Sequence, residues 1–266
     1  MLNKLTREPH MQLTQMQDLG GCRAILTNVQ SVFNLAEELG AGGLMLGDTG
    51  HKYYDYINHP KLDGYRSFHI VGRYVAREKR HEPWNGQRIE VQVRSRLQHA
   101  FATAVETVDT FTRARLKAGA GTVQWKRFFS LMGSVLALRE GTVLVQGTPS
   151  NEVELIGELR ELVGSLGIER RMLGWRNALK SVQTSRLKGA KWLLLVLDVK
   201  NNLITVSPFA ARKEAEIEIA RLEQTKSGDL DAVLVWVDSF RSLPKAYPNY
   251  YADTGEFLTA LRLALK

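Results

Sequence analysis

The chain has 266 residues, of which 44% are hydrophobic and 24% are charged, as in globular proteins that bury a core of their own. Its one cysteine, Cys22, excludes an intramolecular disulfide, and its short apolar runs exclude a signal peptide and a membrane span. We therefore expect a cytoplasmic protein with no membrane partner. The net charge of +8 favours polyanionic partners such as nucleotides, RNA or acidic proteins, although a solvated surface alone has the same balance.

The first half of the chain alternates short apolar runs with turns. Its periodicity predicts strands at Arg23–Thr27, Ser67–Val75 and Arg88–Arg94, and helices at Ser31–Leu39 and Gln98–Thr107. Ser31 is the predicted cap of the first of these helices. Turns are expected at Pro60–Gly64 and His81–Gly86.

The second half has a different pattern of predicted helices and strands, and the change falls at the Gly-rich stretch Lys117–Thr122. Helices are predicted at Val123–Arg139, at Ser150–Thr184 with a break near Gly164–Gly167, at Ala210–Gln224 and at Thr254–Ala264. Strands are predicted at Trp192–Val199, Leu203–Ser207 and Ala232–Val237. The predicted fold class is α+β, a mixed β-sheet flanked by helices and followed by a C-terminal α+β accessory domain.

Polar side chains alternate with apolar ones along the last strand of the first half. Arg88, Glu90, Gln92 and Arg94 point one way and the residues between them the other. A solvated sheet edge would show the same pattern, so this strand alone does not identify a site.

The turn Pro60-Lys-x-x-Gly-Tyr65 places a cation and an aromatic ring close together on a rigid loop. A purine can stack on such a ring while Lys61 meets its phosphates. Further upstream, Asp18 precedes a predicted strand and Arg23 opens it. An aspartate there can bind Mg²⁺ and an arginine can bind phosphate, although an aspartate before Gly-Gly is also a common turn residue.

Together these segments resemble the synthetase domain of the RelA/SpoT family over roughly Lys4 to Val108. The matching pieces are Asp18-Leu-Gly-Gly-Cys-Arg23, Asp55-Tyr-Ile-x-x-Pro-Lys-x-x-Gly-Tyr-Arg-Ser-Phe-His69 and Glu90-Val-Gln-Val-Arg-Ser-x-x-Gln-His99. The resemblance implies a nucleotidyltransferase-like synthetase domain over residues 1–118. A helical connector over residues 119–190 and an accessory, regulatory domain over residues 191–266 would follow.

The resemblance also implies an activity: transfer of the β,γ-pyrophosphate of ATP to a hydroxyl, which in alarmone synthetases is the ribose 3′-OH of GDP or GTP. Asp18 would bind Mg²⁺, and Glu90 would be a second metal-site carboxylate or the base that takes the hydroxyl proton. Lys4 and Arg23 would lie on the donor side. Transfer of this kind needs charge neutralisation and positioning, which such residues supply.

On the acceptor side, the resemblance implies that Tyr65 stacks on the base, that Lys61 contacts the phosphates, and that His69 and Gln92 line the pocket. One departure is Asp63, where the family usually has Asn. Its extra negative charge should repel acceptor phosphates, so the acceptor could differ from a plain guanosine nucleotide.

A second departure is at the start of the chain. Before the aspartate the family has a donor-binding segment, Arg-x-Lys-x-x-x-Ser-x-x-x-Lys-Leu, of which only Lys4-Leu5 is present. Each charge-assisted contact is worth about 1.5–3 kcal/mol. We therefore expect that the true start lies upstream or that this product is impaired, and a degenerate sensor of nucleotides or of a phage protein remains an alternative.

The segments Met11–Arg23 and Arg96–Glu106 look most like small, single-catalytic-domain members of the family. Some of these are toxic and pyrophosphorylate the 3′ CCA end of tRNA, an acceptor that the positive charge of this chain suits. DNA is not an expected partner.

The C-terminal half carries Tyr247 and Tyr250 on a Pro-containing loop. Fused toxin–antitoxin, CapRel-like members of the family carry a Tyr-x-x-Tyr element that plugs the ATP site. By this resemblance the two tyrosines would be regulatory, and a phage trigger protein would release them. The alternative is a loop whose rings simply pack on the domain.

Overall fold

The computed structural model describes residues 20–40, 51–117, 122–184, 190–201, 203–224, 230–236 and 254–266. The chain divides into two compact units. The first contains residues 1–61, 65–99 and 137–143, and the second contains residues 62–64, 100–136 and 144–266. The first unit therefore includes a short segment, residues 137–143, from the second half of the chain.

A four-stranded mixed sheet forms the centre of the first unit. Its strands are β1 (Gly20–Leu26), β2 (Lys52–Asp55), β3 (Phe68–Arg73) and β4 (Arg88–Ser95), in the order β1-β4-β3-β2. β1 runs parallel to β4, and the other neighbours are antiparallel. Helix α1 (Val29–Glu38) follows β1, and a short 3₁₀ helix (Lys79–Trp84) lies between β3 and β4.

The apolar face of this sheet forms the core of the first unit. The buried residues of that core are Val32 of α1, Ile57, Ile70, Val91 and Val93. Alternation along β3 and β4 therefore leaves their polar side chains on the opposite face.

The cap of α1 differs from the expectation. Asn28, not Ser31, is the N-cap, and its side chain accepts a hydrogen bond of 2.8 Å from the backbone N–H of Ser31. Both residue types cap helices well, and the helix begins two residues earlier than predicted because Val29 already packs on the core.

Among the described residues, nine further elements follow β4. They are α2 (Arg96–Lys117), α3 (Thr122–Glu140), α4 (Glu152–Leu166), α5 (Ile168–Thr184), β5 (Trp192–Asp198), β6 (Leu203–Phe209), α6 (Arg212–Gln224), β7 (Leu230–Trp236) and α7 (Thr254–Ala264). α2 is longer than predicted at both ends. The predicted break is confirmed at Gly167, whose left-handed backbone ends α4, and Asn151 rather than Ser150 caps that helix.

Within the second unit, β6, β5 and β7 form an antiparallel sheet in that order. Its helices share an aromatic cluster made by Phe101, Trp125, Phe128, Phe129 and Phe257. Both units combine helices with a sheet, which confirms the α+β class. No helix among the described residues has the length and apolar composition needed to cross a membrane.

Candidate functional site

A row of polar side chains crosses the open face of the first sheet. Gln92 on β4 lies opposite Arg23 on β1 and opposite His69 on β3, and His69 lies opposite Tyr54 on β2. We call Arg23, Gln92, His69 and Tyr54 the polar row. The register thus brings together residues that lie far apart in the sequence, including three that the sequence predicted for the site.

Hydrogen bonds join the polar row to Glu90 and Tyr65. Glu90 Oε1 lies 2.7 Å from His69 Nδ1, and Glu90 Oε2 accepts a hydrogen bond of 3.1 Å from Gln92 Nε2. Tyr65 Oη lies 2.9 Å from His69 Nε2. At the other end, Gln92 Oε1 accepts a hydrogen bond of 3.3 Å from Arg23 Nε. A continuous chain therefore links the predicted acceptor residues to the predicted donor-side cation.

The direction of these hydrogen bonds follows from the groups involved. An ionised carboxylate only accepts, so His69 Nδ1 donates to Glu90. In a neutral imidazole Nε2 then accepts, and the Tyr65 phenol donates to it. Burial raises the pKa of Tyr65, although nearby Arg94 acts in the opposite direction, so the phenol keeps the proton that it donates.

Two aromatic rings lie beside Lys61, next to this chain of hydrogen bonds. The Lys61 Nζ atom lies 4.6 Å from the ring centroid of Tyr56 and 5.0 Å from that of Tyr65. The Tyr56 ring is stacked on Tyr54 at 5.9 Å between centroids. The structure therefore places a cation against two ring faces, as the turn motif predicted, and adds Tyr54 and Tyr56, which sequence reasoning missed.

The turn that carries Lys61 depends on a glycine. Gly64 has a φ of 87°, and a Cβ there would lie 2.5 Å from the carbonyl oxygen of Phe129. The turn is closed by a backbone hydrogen bond of 3.2 Å from the Lys61 N–H to the Tyr65 carbonyl. Asp63 is exposed, and its repulsion of acceptor phosphates stays a prediction.

Where β1 meets β4, the two backbones come close together at Gly21. A Cβ on Gly21 would lie 2.3 Å from the carbonyl oxygen of Glu90. Gly21 also pairs in register with Glu90. The second glycine of the Gly-Gly motif therefore permits the strand spacing that positions Arg23 beside Gln92.

Sequence analysis did not assign Arg94 and His99, which lie near the Arg23 end of the polar row, to the site. Arg94 is 2% exposed and donates a hydrogen bond of 2.5 Å to Gln92 Oε1. It could have been found, since it continues the alternation of Glu90 and Gln92. Burial lowers the pKa of His99, with smaller contributions from Arg94 and Arg23, so its ring stays neutral near Arg94 and Arg23.

The junction of β4 and α2 is held by a capping box. The Ser95 N–H donates a hydrogen bond of 3.1 Å to Gln98 Oε1, and the Gln98 N–H donates one of 3.1 Å to Ser95 Oγ. Glu140 of α3 accepts hydrogen bonds from Ser95 Oγ and, at 2.9 Å, from Gln98 Nε2. Burial raises the pKa of the Glu140 carboxyl, although these two donors and Arg66 oppose the shift.

Arg66, next to Tyr65, is 3% exposed. Its guanidinium donates hydrogen bonds of 2.9 Å to the Ile57 carbonyl and of 2.5 Å to the Val143 carbonyl. Burial lowers the pKa of Arg66 to about 10. The segment 137–143 thus contacts both the Tyr65 loop and the end of β4. Arg66 belongs to the Gly-Tyr-Arg-Ser-Phe-His motif, but no role was predicted for it, and no sequence motif indicated Glu140.

Four predicted site residues lie outside the described residues, namely Lys4, Asp18, Tyr247 and Tyr250. In the part of the chain that is described, no group of three His, Cys, Asp or Glu side chains could hold a metal ion. Glu90 fits Mg²⁺ in its chemistry, because this ion takes one or two carboxylates and fills its other positions with phosphates and water.

Residues 1–109 match the family described as "Region found in RelA / SpoT proteins". Comparison with curated proteins gives no match. Among solved structures, the chain is similar to small alarmone synthetase 1 from Bacillus subtilis bound to its product pppGpp, with 20% identity, a TM-score of 0.41, and coverage of 53% of this chain and 68% of that chain.

Two other solved structures give similar values. Small alarmone synthetase 2 from Bacillus subtilis is 20% identical, with a TM-score of 0.42 and coverage of 53% and 70%. A GTP pyrophosphokinase family protein from Streptococcus pneumoniae is 20% identical, with a TM-score of 0.39 and coverage of 53% and 66%. These TM-scores are below 0.5 and carry no argument, so the finding that remains is the match of residues 1–109 to a region found in RelA/SpoT proteins.

Proposed function

We propose that this protein is a pyrophosphotransferase that moves the β,γ-pyrophosphate of ATP to the ribose 3′-OH of GDP or GTP. The observation that carries the proposal is the hydrogen-bonded chain Tyr65–His69–Glu90–Gln92–Arg23 on the open face of a RelA/SpoT sheet. It connects a ring and a cation suited to a nucleotide acceptor with a carboxylate and a second cation.

The acceptor end is supported by the geometry of Lys61 and Tyr65. A guanine ring can stack on the Tyr65 face that the Lys61 ammonium now approaches at 5.0 Å from the centroid. Lys61 is exposed, so its ammonium can turn from the rings to the acceptor phosphates when a nucleotide binds.

The chemistry follows from the position of Glu90. The 3′ oxygen attacks the β-phosphorus of ATP, the bond from that phosphorus to the α,β-bridging oxygen breaks, AMP leaves, and the hydroxyl proton passes to the Glu90 carboxylate. His69 and Gln92 hold one carboxylate oxygen each and thereby fix the orientation of the carboxylate that takes the proton. Glu90 and Asp18 would hold Mg²⁺, which would supply positive charge against the phosphates.

A tRNA 3′ CCA end is the second candidate acceptor. The stacked pair of Tyr54 and Tyr56 beside Tyr65 offers ring surface for more than one base, and the net charge of +8 suits RNA. Self-inhibition through Tyr247 and Tyr250, and its release by a phage trigger protein, remain predictions.

The test is transfer of label from γ-³²P-ATP to GDP, GTP or tRNA in separate reactions. We expect labelled guanosine nucleotide, and a loss of at least about a hundredfold in Glu90→Gln, which removes the ionised oxygen that accepts the proton. Glu38→Gln is the matched control, because Glu38 is exposed on α1, which covers the opposite face of the sheet.

Labelled tRNA without labelled nucleotide would move the acceptor assignment to RNA. No transfer to any acceptor by a folded protein, or equal transfer by wild type and Glu90→Gln, would overturn the proposed chemistry and favour a degenerate nucleotide sensor.

A further inference from the structure

One cavity in the first unit lies at the end of the sheet where β1 and β4 begin. It has a volume of about 520 Å³ and is lined by residues at the start of β1 and β4, at the end of β3 and on the 3₁₀ helix. This volume is within the roughly 300–1,000 Å³ of small-molecule sites. Gly20 lines the cavity at the start of β1, three residues before Arg23, which corresponds to about 10 Å along a strand.

Three rings line this cavity, those of Tyr74, His81 and Trp84. In a 3₁₀ helix, residues three apart lie on one face, and the centroids of the His81 and Trp84 rings are 5.9 Å apart. Trp84 is 55% exposed, so its ring surface is open to a ligand. The cavity therefore offers ring faces on which a planar group can stack.

The segment around these rings is basic. From Arg73 to Arg88, both included, the sequence has five Lys and Arg residues against two Glu. Arg88 lines the cavity itself, while Lys79 and Arg80 lie on the same 3₁₀ helix as the rings and are exposed. Rings with cations at their side are the combination that binds a nucleobase and its phosphates.

We propose that this cavity is a second nucleotide-binding site, distinct from the Tyr65 platform, which takes a purine nucleoside di- or triphosphate. The base stacks on Trp84 beside His81 and Tyr74, and the phosphates meet Arg88 with Lys79 or Arg80. A single nucleotide fits the size of the cavity better than a nucleic acid strand, which would need a groove that continues beyond it.

The start of β1 offers a way to fill the cavity without removing any ring or cation. A Cβ placed on Gly20 meets only the Arg88 carbonyl oxygen, at 3.9 Å, which is ordinary contact. Gly20→Leu therefore places a side chain where it reduces the free volume of the cavity, with little strain on the backbone. Trp84→Leu is a second, independent variant, and the exposure of Trp84 makes it compatible with folding.

The experiment titrates the full chain with mant-GDP, a probe for which the proposed ATP donor site is not designed, and follows mant anisotropy. All arms use Tyr65→Leu protein, in which the proposed acceptor platform is absent, so that binding elsewhere is isolated. We expect binding to persist in this protein, and its dissociation constant to rise about tenfold in Trp84→Leu and in Gly20→Leu, because base stacking is lost or blocked. Trp236→Leu is the matched control, since Trp236 is also exposed but lies in the second unit.

The proposal is overturned if Tyr65→Leu alone abolishes binding, or if folded Trp84→Leu and Gly20→Leu proteins bind as tightly as their parent. A short single-stranded oligoribonucleotide is the last arm. If it competes more strongly than GDP for the same site, the assignment to a free nucleotide is wrong. None of these results depends on pyrophosphate transfer, so this proposal and the proposed function fail separately.

Discussion

The two sheets of this protein use charged side chains in opposite ways. On the first sheet Glu90 is partly exposed, and its hydrogen bonds join it to a chain that ends at the exposed Arg23. In the second unit Asp231 of β7 is 1% exposed and is held by Arg171, at 2.5 Å, and by the Trp175 indole, at 3.2 Å.

The difference shows how burial separates a structural charge from a chemical one. A fully buried carboxylate must have all its acceptor positions filled by its own protein, because an unpaired buried charge is costly. A partly exposed carboxylate such as Glu90 can be reached by a substrate. The buried charged pair of the second unit therefore has a structural role. The partly exposed polar side chains of the first sheet are instead the candidates for a functional role.

Removing the buried charge should have the largest effect on stability. Asp231→Ala leaves the Arg171 guanidinium buried without its carboxylate, and we expect the free energy of unfolding to fall by about 3–5 kcal/mol. Urea denaturation followed by circular dichroism measures it. Glu169→Gln breaks the exposed pair with Arg262 and should cost under about 1 kcal/mol. Equal losses in both variants would contradict the distinction.

On the first sheet, the sensitive feature is backbone spacing. Gly21→Ala places a Cβ 2.3 Å from the Glu90 carbonyl, so β1 must move away from β4. We expect a loss of about 1–3 kcal/mol in unfolding free energy, together with reduced transfer activity.

Gly157→Ala is the matched control for Gly21→Ala. Gly157 lies within α4, and a Cβ there meets nothing within 4 Å. Because alanine favours helix over glycine, this variant should gain about 0.5–1 kcal/mol. If Gly21→Ala is as stable as wild type, the close approach of β1 and β4 does not limit the sheet.

The smallest expected effect is a change in pH dependence. Burial raises the pKa of Glu140, so the folded protein binds this proton more tightly than the unfolded chain does. The contribution of Glu140 to stability is therefore present at low pH and is lost as pH rises through the raised pKa. Glu140→Gln cannot ionise and should remove this decline in urea denaturation at a series of pH values.

Glu158→Gln tests the opposite sign. Hydrogen bonds from Arg127 lower the pKa of Glu158, so its contribution is present at neutral pH and is lost as pH falls through the lowered pKa. This variant should lose stability at neutral pH and lose less on acidification. If Glu140→Gln and wild type gave parallel curves of stability against pH, the raised pKa of Glu140 would make no contribution to the pH dependence of stability.

Much of the first sheet could be predicted from sequence because its signals are local. The alternation along β4 is a property of consecutive residues, and it correctly separated Glu90 and Gln92 from the buried Val91 and Val93. The Pro-Lys-x-x-Gly-Tyr turn likewise indicated that Lys61 and Tyr65 lie together.

The residues that were missed depend on tertiary contacts. Glu140 reaches Gln98 across 42 residues, and Arg66 reaches Val143 across 77, and neither separation leaves a periodic signal. Helix boundaries were also imprecise, because Asn28 and Ser31 are both good caps and only packing of Val29 on the core decides between them.

The polar row also spans a fixed distance across the sheet. Its four members lie on four adjacent strands, so three strand spacings of about 4.8 Å set a distance of about 14 Å between the backbones at Arg23 and Tyr54. Backbone hydrogen bonds fix that distance, whatever side chains stand at either end. Substitutions at the two ends can therefore change which groups a substrate meets while the span between them stays constant, which makes this sheet a suitable frame for redesigning substrate choice.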